Sequence, residues 1–240
     1  MIKYLLVAAG VLFAIWLLVA IVRVASAVKS GEFQEKLDEK RAARQQSKGE
    51  FSFTADQLVP RIKNTAFLAA LKMNEVPSEQ MPVYQELAGG LITTYAFETD
   101  DTFVAATPPL IASSIGHTEG LGELAFQNLK RQLTNVKLGA IGKNDSPELN
   151  VFSISTGNHM EPCFLLSNKF WNGKSTEFAG DPVATVPNRD TLLFCDSDSQ
   201  QSVQALRELT NSHYDPNETH ALSERLLVWR NNQWHDFDES

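Results

Sequence analysis

Cysteine is scarce in this chain of 240 residues. Cys163 and Cys195 can close at most one bridge, and neither stands in a C-x-x-C or other metal-like spacing, so a disulfide framework is excluded. The two read instead as small apolar core residues in a reducing compartment. His117, His159, His213, His220 and His235 are scattered, with no H-E-x-x-H and no close His/Cys pair, and no metal site is expected. Also missing are the phosphate loop G-x-x-x-x-G-K-[ST], the nucleophile elbow G-x-S-x-G and a dinucleotide fingerprint, so no cofactor is expected and no complete catalytic constellation is present. No internal repeat or low-complexity tract occurs.

Positive charge is scarce after residue 50. The whole chain carries 21 Lys+Arg and 29 Asp+Glu. Residues 1–50 hold 8 of the basic and 5 of the acidic groups, net +3, which leaves 13 basic and 24 acidic for residues 51–240, net −11. A region that acidic repels phosphate backbones, so no nucleic-acid partner is expected.

What the chain does have is one long uncharged stretch, residues 4–22, Y-L-L-V-A-A-G-V-L-F-A-I-W-L-L-V-A-I-V. At about 1.5 Å per residue it spans roughly 28 Å, the thickness of a hydrocarbon core. The rival reading is a cleaved export signal, since Ala25-Ser26-Ala27 has the A-x-A form of a cleavage site. The apolar run is longer than a typical signal core, and Arg23 stands beside the supposed cut, so an uncleaved anchor is expected over residues 1–29. Only Lys3 precedes the span, whereas Arg23, Lys29, Lys36, Lys40, Arg41, Arg44 and Lys48 follow it. That bias keeps the C-terminal side in the cytoplasm. Residues 30–50 are strong helix formers with few apolar side chains and read as a charged, solvated helical stalk.

Residues 51–240 form the remaining, soluble part. L-I-T-T-Y-A-F, the turn E-T-D-D and T-F-V-A-A-T predict a hairpin over residues 91–107, ended by Pro108 and Pro109. Residues 118–133 predict a helix capped by Thr118, with Leu121, Leu124, Ala125, Leu129 and Leu133 on one face. V-K-L-G-A-I-G and L-N-V-F-S-I-S predict two strands around N-D-S-P, residues 159–170 a short helix, and W-N-G-K-S-T-E a loop. A buried strand at Leu192 to Cys195, a helix carrying Val203, Leu206 and Leu209, and a strand pair turned at Asn231-Asn232 complete the pattern. The irregular alternation predicts an α+β fold, a mixed or antiparallel sheet with packed helices.

The stretches L-V-P-R-I-K-N (residues 58–64), L-I-T-T-Y-A-F-E-T-D-D-T-F-V-A, A-F-Q-N-L (125–129), V-P-N-R-D-T-L-L-F (186–194) and L-S-E-R-L-L-V-W together resemble the YtpQ-like family, a bacterial domain of unknown function. The resemblance covers most of residues 55–235. It implies an extended segment at L-V-P-R-I-K-N, a fold class and a domain extent, and it implies no activity; the anchor is expected in a bacterial inner membrane. The anchor and stalk depart from the family pattern.

Three polar residues inside these motifs form the candidate site: Asn128, Arg189 and Asp190. Asn128 lies beside the apolar face of its helix, where a buried amide needs partners. Arg189 and Asp190 stand at the mouth of a strand; as consecutive strand residues they are expected to point to opposite faces. The expected function is that of a membrane-anchored protein whose cytoplasmic domain binds a protein or small-molecule partner. The alternative is a membrane-tethered hydrolase or transferase using Asn128, Arg189 and Asp190 together.

Overall fold

L-I-T-T-Y-A-F-E is buried at seven consecutive positions, Leu91 to Phe97, which a strand achieves only with partners on both edges and cover on both faces. In the computed structural model, which describes residues 53–99, 102–133, 135–141 and 150–237, this strand is the centre of a four-stranded antiparallel sheet. In chain order the sheet comprises β1 (Leu58–Asn64), β2 (Tyr84–Glu86), β3 (Leu91–Glu98) and β4 (Phe103–Ala105). β1 pairs with β3 along its whole length, from Leu58 opposite Phe97 to Asn64 opposite Leu91. β2 and β4 share the other edge.

The second sheet is six-stranded and antiparallel. It contains β5 (Lys137–Ile141), β6 (Val151–Ser155), β7 (Pro182–Thr185), β8 (Leu192–Asp196), β9 (Leu227–Arg230) and β10 (Gln233–Asp236), in the spatial order β10-β9-β7-β8-β6-β5. The β9–β10 turn places both Asn231 and Asn232 at positive φ, 53° and 62°, the conformation that two-residue hairpin turns demand and that asparagine tolerates.

Among the described residues five α-helices cover the sheets: α1 (Ala66–Met73), α2 (Pro108–Ser114), α3 (Leu121–Gln132), α4 (Asn168–Glu177) and α5 (Gln200–His213). β8 shows how the second sheet is packed on both faces. Leu192 and Phe194 join a cluster with Trp171, Trp229 and Trp234, while Leu193 and Cys195 pack with Val203 and Leu206 of α5. The period of two puts alternate residues into different cores. Leu58, Tyr95 and Phe97 of the first sheet, with Phe53 ahead of β1, pack with Ile111, Leu121 and Ala125 of α2 and α3. The three buried indoles have acceptors: Trp171 Nε1 donates to Phe164 O at 2.7 Å, Trp229 Nε1 to Asn172 Oδ1 at 2.8 Å and Trp234 Nε1 to Leu165 O at 2.8 Å. The segment before β9 is also tied to the first sheet and its β2–β3 turn, by Asn64 Nδ2 donating to Ala221 O and Ser223 Oγ to Gly89 O.

The α+β class with antiparallel sheets matches the expectation, and several local expectations need correction. W-N-G-K-S-T-E is not a loop but most of α4. Its weak helix formers are held in place by Trp171, which is fully buried against Phe194 and Trp234 at centroid distances of 5.3 and 4.8 Å, so packing overrides propensity. The 159–170 helix is a 3-10 turn over Glu161–Leu166 that runs into α4. Pro108 and Pro109 do more than stop a strand, since they open α2 at its first turn, where a missing N–H costs nothing. The start of α3 is Gly120, at φ 71°, rather than Thr118. Among the described residues no helix is long and apolar enough to cross a membrane; the expected span at residues 4–22, the stalk at 30–50 and the N-D-S-P turn lie outside the described residues.

Candidate functional site

Asn128 is buried on α3. Its Nδ2 donates to Ala55 O at 2.8 Å and Leu58 O at 2.9 Å, and its Oδ1 accepts from Arg131 at 3.3 Å. It therefore fastens α3 to the entry of β1, where carbonyls not used by the ladder need donors. Both amide hydrogens are spent on backbone.

Arg189 and Asp190 lie elsewhere, in the turn before β8. They meet each other, Arg189 Nε to Asp190 Oδ1 at 3.2 Å. The divergence expected of strand neighbours does not apply, because the two belong to a turn: Asn188 Oδ1 accepts from the backbone N–H of Asp190 at 3.0 Å, an Asx turn that breaks the alternation. Asp190 Oδ1 also lies 2.7 Å from His159 Nδ1. The same turn is stitched to the segment before β9, with Leu222 N donating to Pro187 O and Arg189 N to His220 O.

These contacts place Arg189 and His159 on a cavity of about 420 Å³ that also holds Arg61, Lys63 and His220. Arg61 and Lys63 stand two apart on β1 and so project from the same face, with Thr94 and Ile92 of β3 opposite them. The Arg61 guanidinium lies over the Phe103 ring, its Cζ 3.4 Å from the centroid, and one of its N–H groups points to Met160 Sδ at 2.7 Å. Among the described residues no carboxylate pairs with Arg61 or Lys63, and Asp190 is the acid paired with Arg189. Burial pushes the Lys63 ammonium below its ordinary range, with the charges of Arg61 and Arg189 acting in the same direction. Burial likewise lowers Arg61, against a weaker opposite pull from Cys163 and Glu98. His159 adopts φ 59° at this rim, a left-handed conformation uncommon for a residue with a Cβ.

Of the three, Arg189 thus lines the cavity, Asp190 touches it only through Arg189 and His159, and Asn128 does not line it. Arg61 and Lys63 are the additions. Their signal was present in L-V-P-R-I-K-N, where two basic residues at a spacing of two share a strand face.

Other polar clusters are structural. Asp196 accepts from the backbone N–H groups of Ala179, Gly180 and Asp198 at 2.8 to 3.0 Å, so its carboxylate closes a β-turn and is not presented to a cation. Among the described residues no group of three or more His, Cys, Asp or Glu is placed to hold a metal ion. Cys163 lines the cavity but is buried, donates to Pro60 O at 3.4 Å and has its thiol pushed up to about 11 by that burial. A thiol so held is a weak nucleophile near neutrality.

No family model, no curated protein and no solved structure matches this chain.

Proposed function

We propose that the chain is a single-pass protein of the bacterial inner membrane, anchored by residues 4–22, whose cytoplasmic domain of residues 51–240 binds a small anionic ligand in the cavity of Arg61, Lys63 and Arg189. The observation that carries this reading is charge against composition. Residues 51–240 have a net charge of −11, yet this cavity gathers three basic side chains, two of them, Arg61 and Lys63, on one strand face and without a carboxylate partner among the described residues. Cations drawn partly out of water and toward each other cost free energy that an anion relieves. The anchor and the cytoplasmic orientation rest on the uncharged span and the Lys/Arg bias that follows it. The resemblance to the YtpQ-like family is part of the same proposal and adds no chemistry to it.

A hydrolase or transferase built on Asn128, Arg189 and Asp190 together is the weaker reading, because both Asn128 donors are committed to the carbonyls of Ala55 and Leu58. Calorimetric titration of the full chain in neutral-lipid nanodiscs with inorganic phosphate tests the ligand claim. Arg61→Gln combined with Lys63→Gln lowers affinity at least tenfold while thermal unfolding stays within a few degrees; equal affinity in the two proteins sinks it. A reporter fused after Ser240 tests the topology, and periplasmic activity overturns it.

A further inference from the structure

The size, walls and charge of the cavity carry the anion reading one step further, to a ligand class. A bare tetrahedral oxyanion displaces roughly 60 to 90 Å³, taking ~30 Å³ for each water it replaces. The cavity measures about 420 Å³, within the range of sites that enclose small organic molecules. Most of it therefore stays empty around an inorganic ion.

Much of the remaining lining is apolar, beside the polar side chains of Thr94, Tyr95, Asn158, His159 and His220. Phe67, Pro82, Ala96, Phe103, Ala105 and Pro162 share the cavity with the three cations. Phe103 is a large hydrophobic side chain left 45% exposed, and the Arg61 guanidinium held over its ring, with one N–H toward Met160 Sδ, is confined in where its donors point. A rigid guanidinium fork matches phosphate oxygens in pairs. The apolar walls beside it would gain nothing from a fully hydrated ion.

Charge sets the head group. Arg61, Lys63 and Arg189 bring three positive charges, and Asp190, paired with Arg189, returns one negative. The excess of two matches a phosphate monoester, which carries about −1.5 to −2 at neutral pH. A carboxylate leaves half of it unmet. The volume also sets an upper limit, since the cavity holds an aromatic ring or a short chain beside the phosphate and not the two chains of a membrane lipid.

We propose that the ligand is a soluble organic phosphate monoester, with its dianion at Arg61, Lys63 and Arg189 and a compact apolar body against Phe67, Phe103 and Ala105. This rests on the anion-binding reading above. Its test uses the full chain in neutral-lipid nanodiscs, titrated with inorganic phosphate, phenyl phosphate, butyl phosphate, dodecyl phosphate and benzoate. Phenyl or butyl phosphate binds at least 30-fold more tightly than inorganic phosphate. Ala105→Leu, which fills the apolar side of the cavity from the exposed edge strand β4, lowers the affinity for phenyl phosphate about tenfold and leaves that for inorganic phosphate within twofold. Equal affinities for inorganic and phenyl phosphate overturn the apolar body and leave anion binding intact. Benzoate binding as tightly as phenyl phosphate overturns the dianionic head, and a steady gain from butyl to dodecyl phosphate overturns the size limit. Binding of none of the five overturns this inference together with the reading beneath it.

Discussion

The guanidinium of Arg61 rests on the ring of Phe103, with Cζ 3.4 Å from the ring centroid. The two residues come from β1 and β4, which lie on opposite edges of β3, so the contact crosses the face of the central strand and stiffens a long side chain that would otherwise be free to sample many rotamers. The cation–π contact is worth about 1 kcal/mol in a partly exposed site, and what it offers a ligand is a donor fork already aimed.

Arg61→Lys keeps the charge and removes the planar fork and its stacking on Phe103. The expected outcome is a loss of roughly tenfold in phosphate affinity, about 1.4 kcal/mol, with the melting temperature nearly unchanged. Calorimetric titration beside thermal denaturation separates the two quantities.

Lys63 titrates below its ordinary value because burial and the charges of Arg61 and Arg189 disfavour the ammonium form. The unfolded chain then holds that proton more tightly than the native state, so this residue's contribution makes stability rise with pH between the native pKa and 10.5. A bound anion reverses the repulsion. NMR titration of the Lys63 side chain shows an upward shift in its pKa when phosphate saturates the protein, and an unchanged value argues that phosphate binds elsewhere.

Asn128→Ala leaves two carbonyls, of Ala55 and Leu58, without the donors that now satisfy them. The expected cost is about 2–3 kcal/mol of stability, measured by urea denaturation, with phosphate affinity in the folded fraction unchanged. A variant that keeps its stability and loses binding would instead return Asn128 to the site.

Both thiols are masked. Burial pushes Cys163 up to about 11 and Cys195 up to about 12. Because these values lie above that of an unfolded thiol, near 9.0, their contribution to stability is complete below pH 9 and is lost as pH rises through the native values. A disulfide exchange reagent at pH 8 labels neither residue in the native protein and both in denaturant; rapid labelling of Cys163 in the native state would contradict the burial.

The strands were the most legible part of the fold. The hairpin over residues 91–107 and the strand at Leu192 to Cys195 declare themselves through β-branched and aromatic residues, a local signal that tertiary packing reinforces. Helix α4 was not legible, since Asn172, Gly173, Ser175 and Thr176 favour loops and only the burial of Trp171 against Phe194 and Trp234 holds the segment helical. At the site, Arg189 and Asp190 stood out by their motif, but their mutual contact depends on an Asx turn at Asn188 that a strand-based reading cannot include. Arg61 and Lys63 carried a usable spacing signal. Their convergence with His159, Arg189 and His220 did not, because it is created by contacts between segments far apart in the chain.

The cavity borrows its walls from β1, from the loop leading into the 3-10 turn at Glu161, from the turn before β8 and from the segment before β9. It exists only while both sheets stand side by side. Ligand bound there adds RT ln(1 + [L]/Kd) to the stability of the assembled state, so occupancy acts as a clasp between the two halves of the domain. Any change that parts β1 from the segments before β8 and β9 would then cost more free energy the more ligand is present.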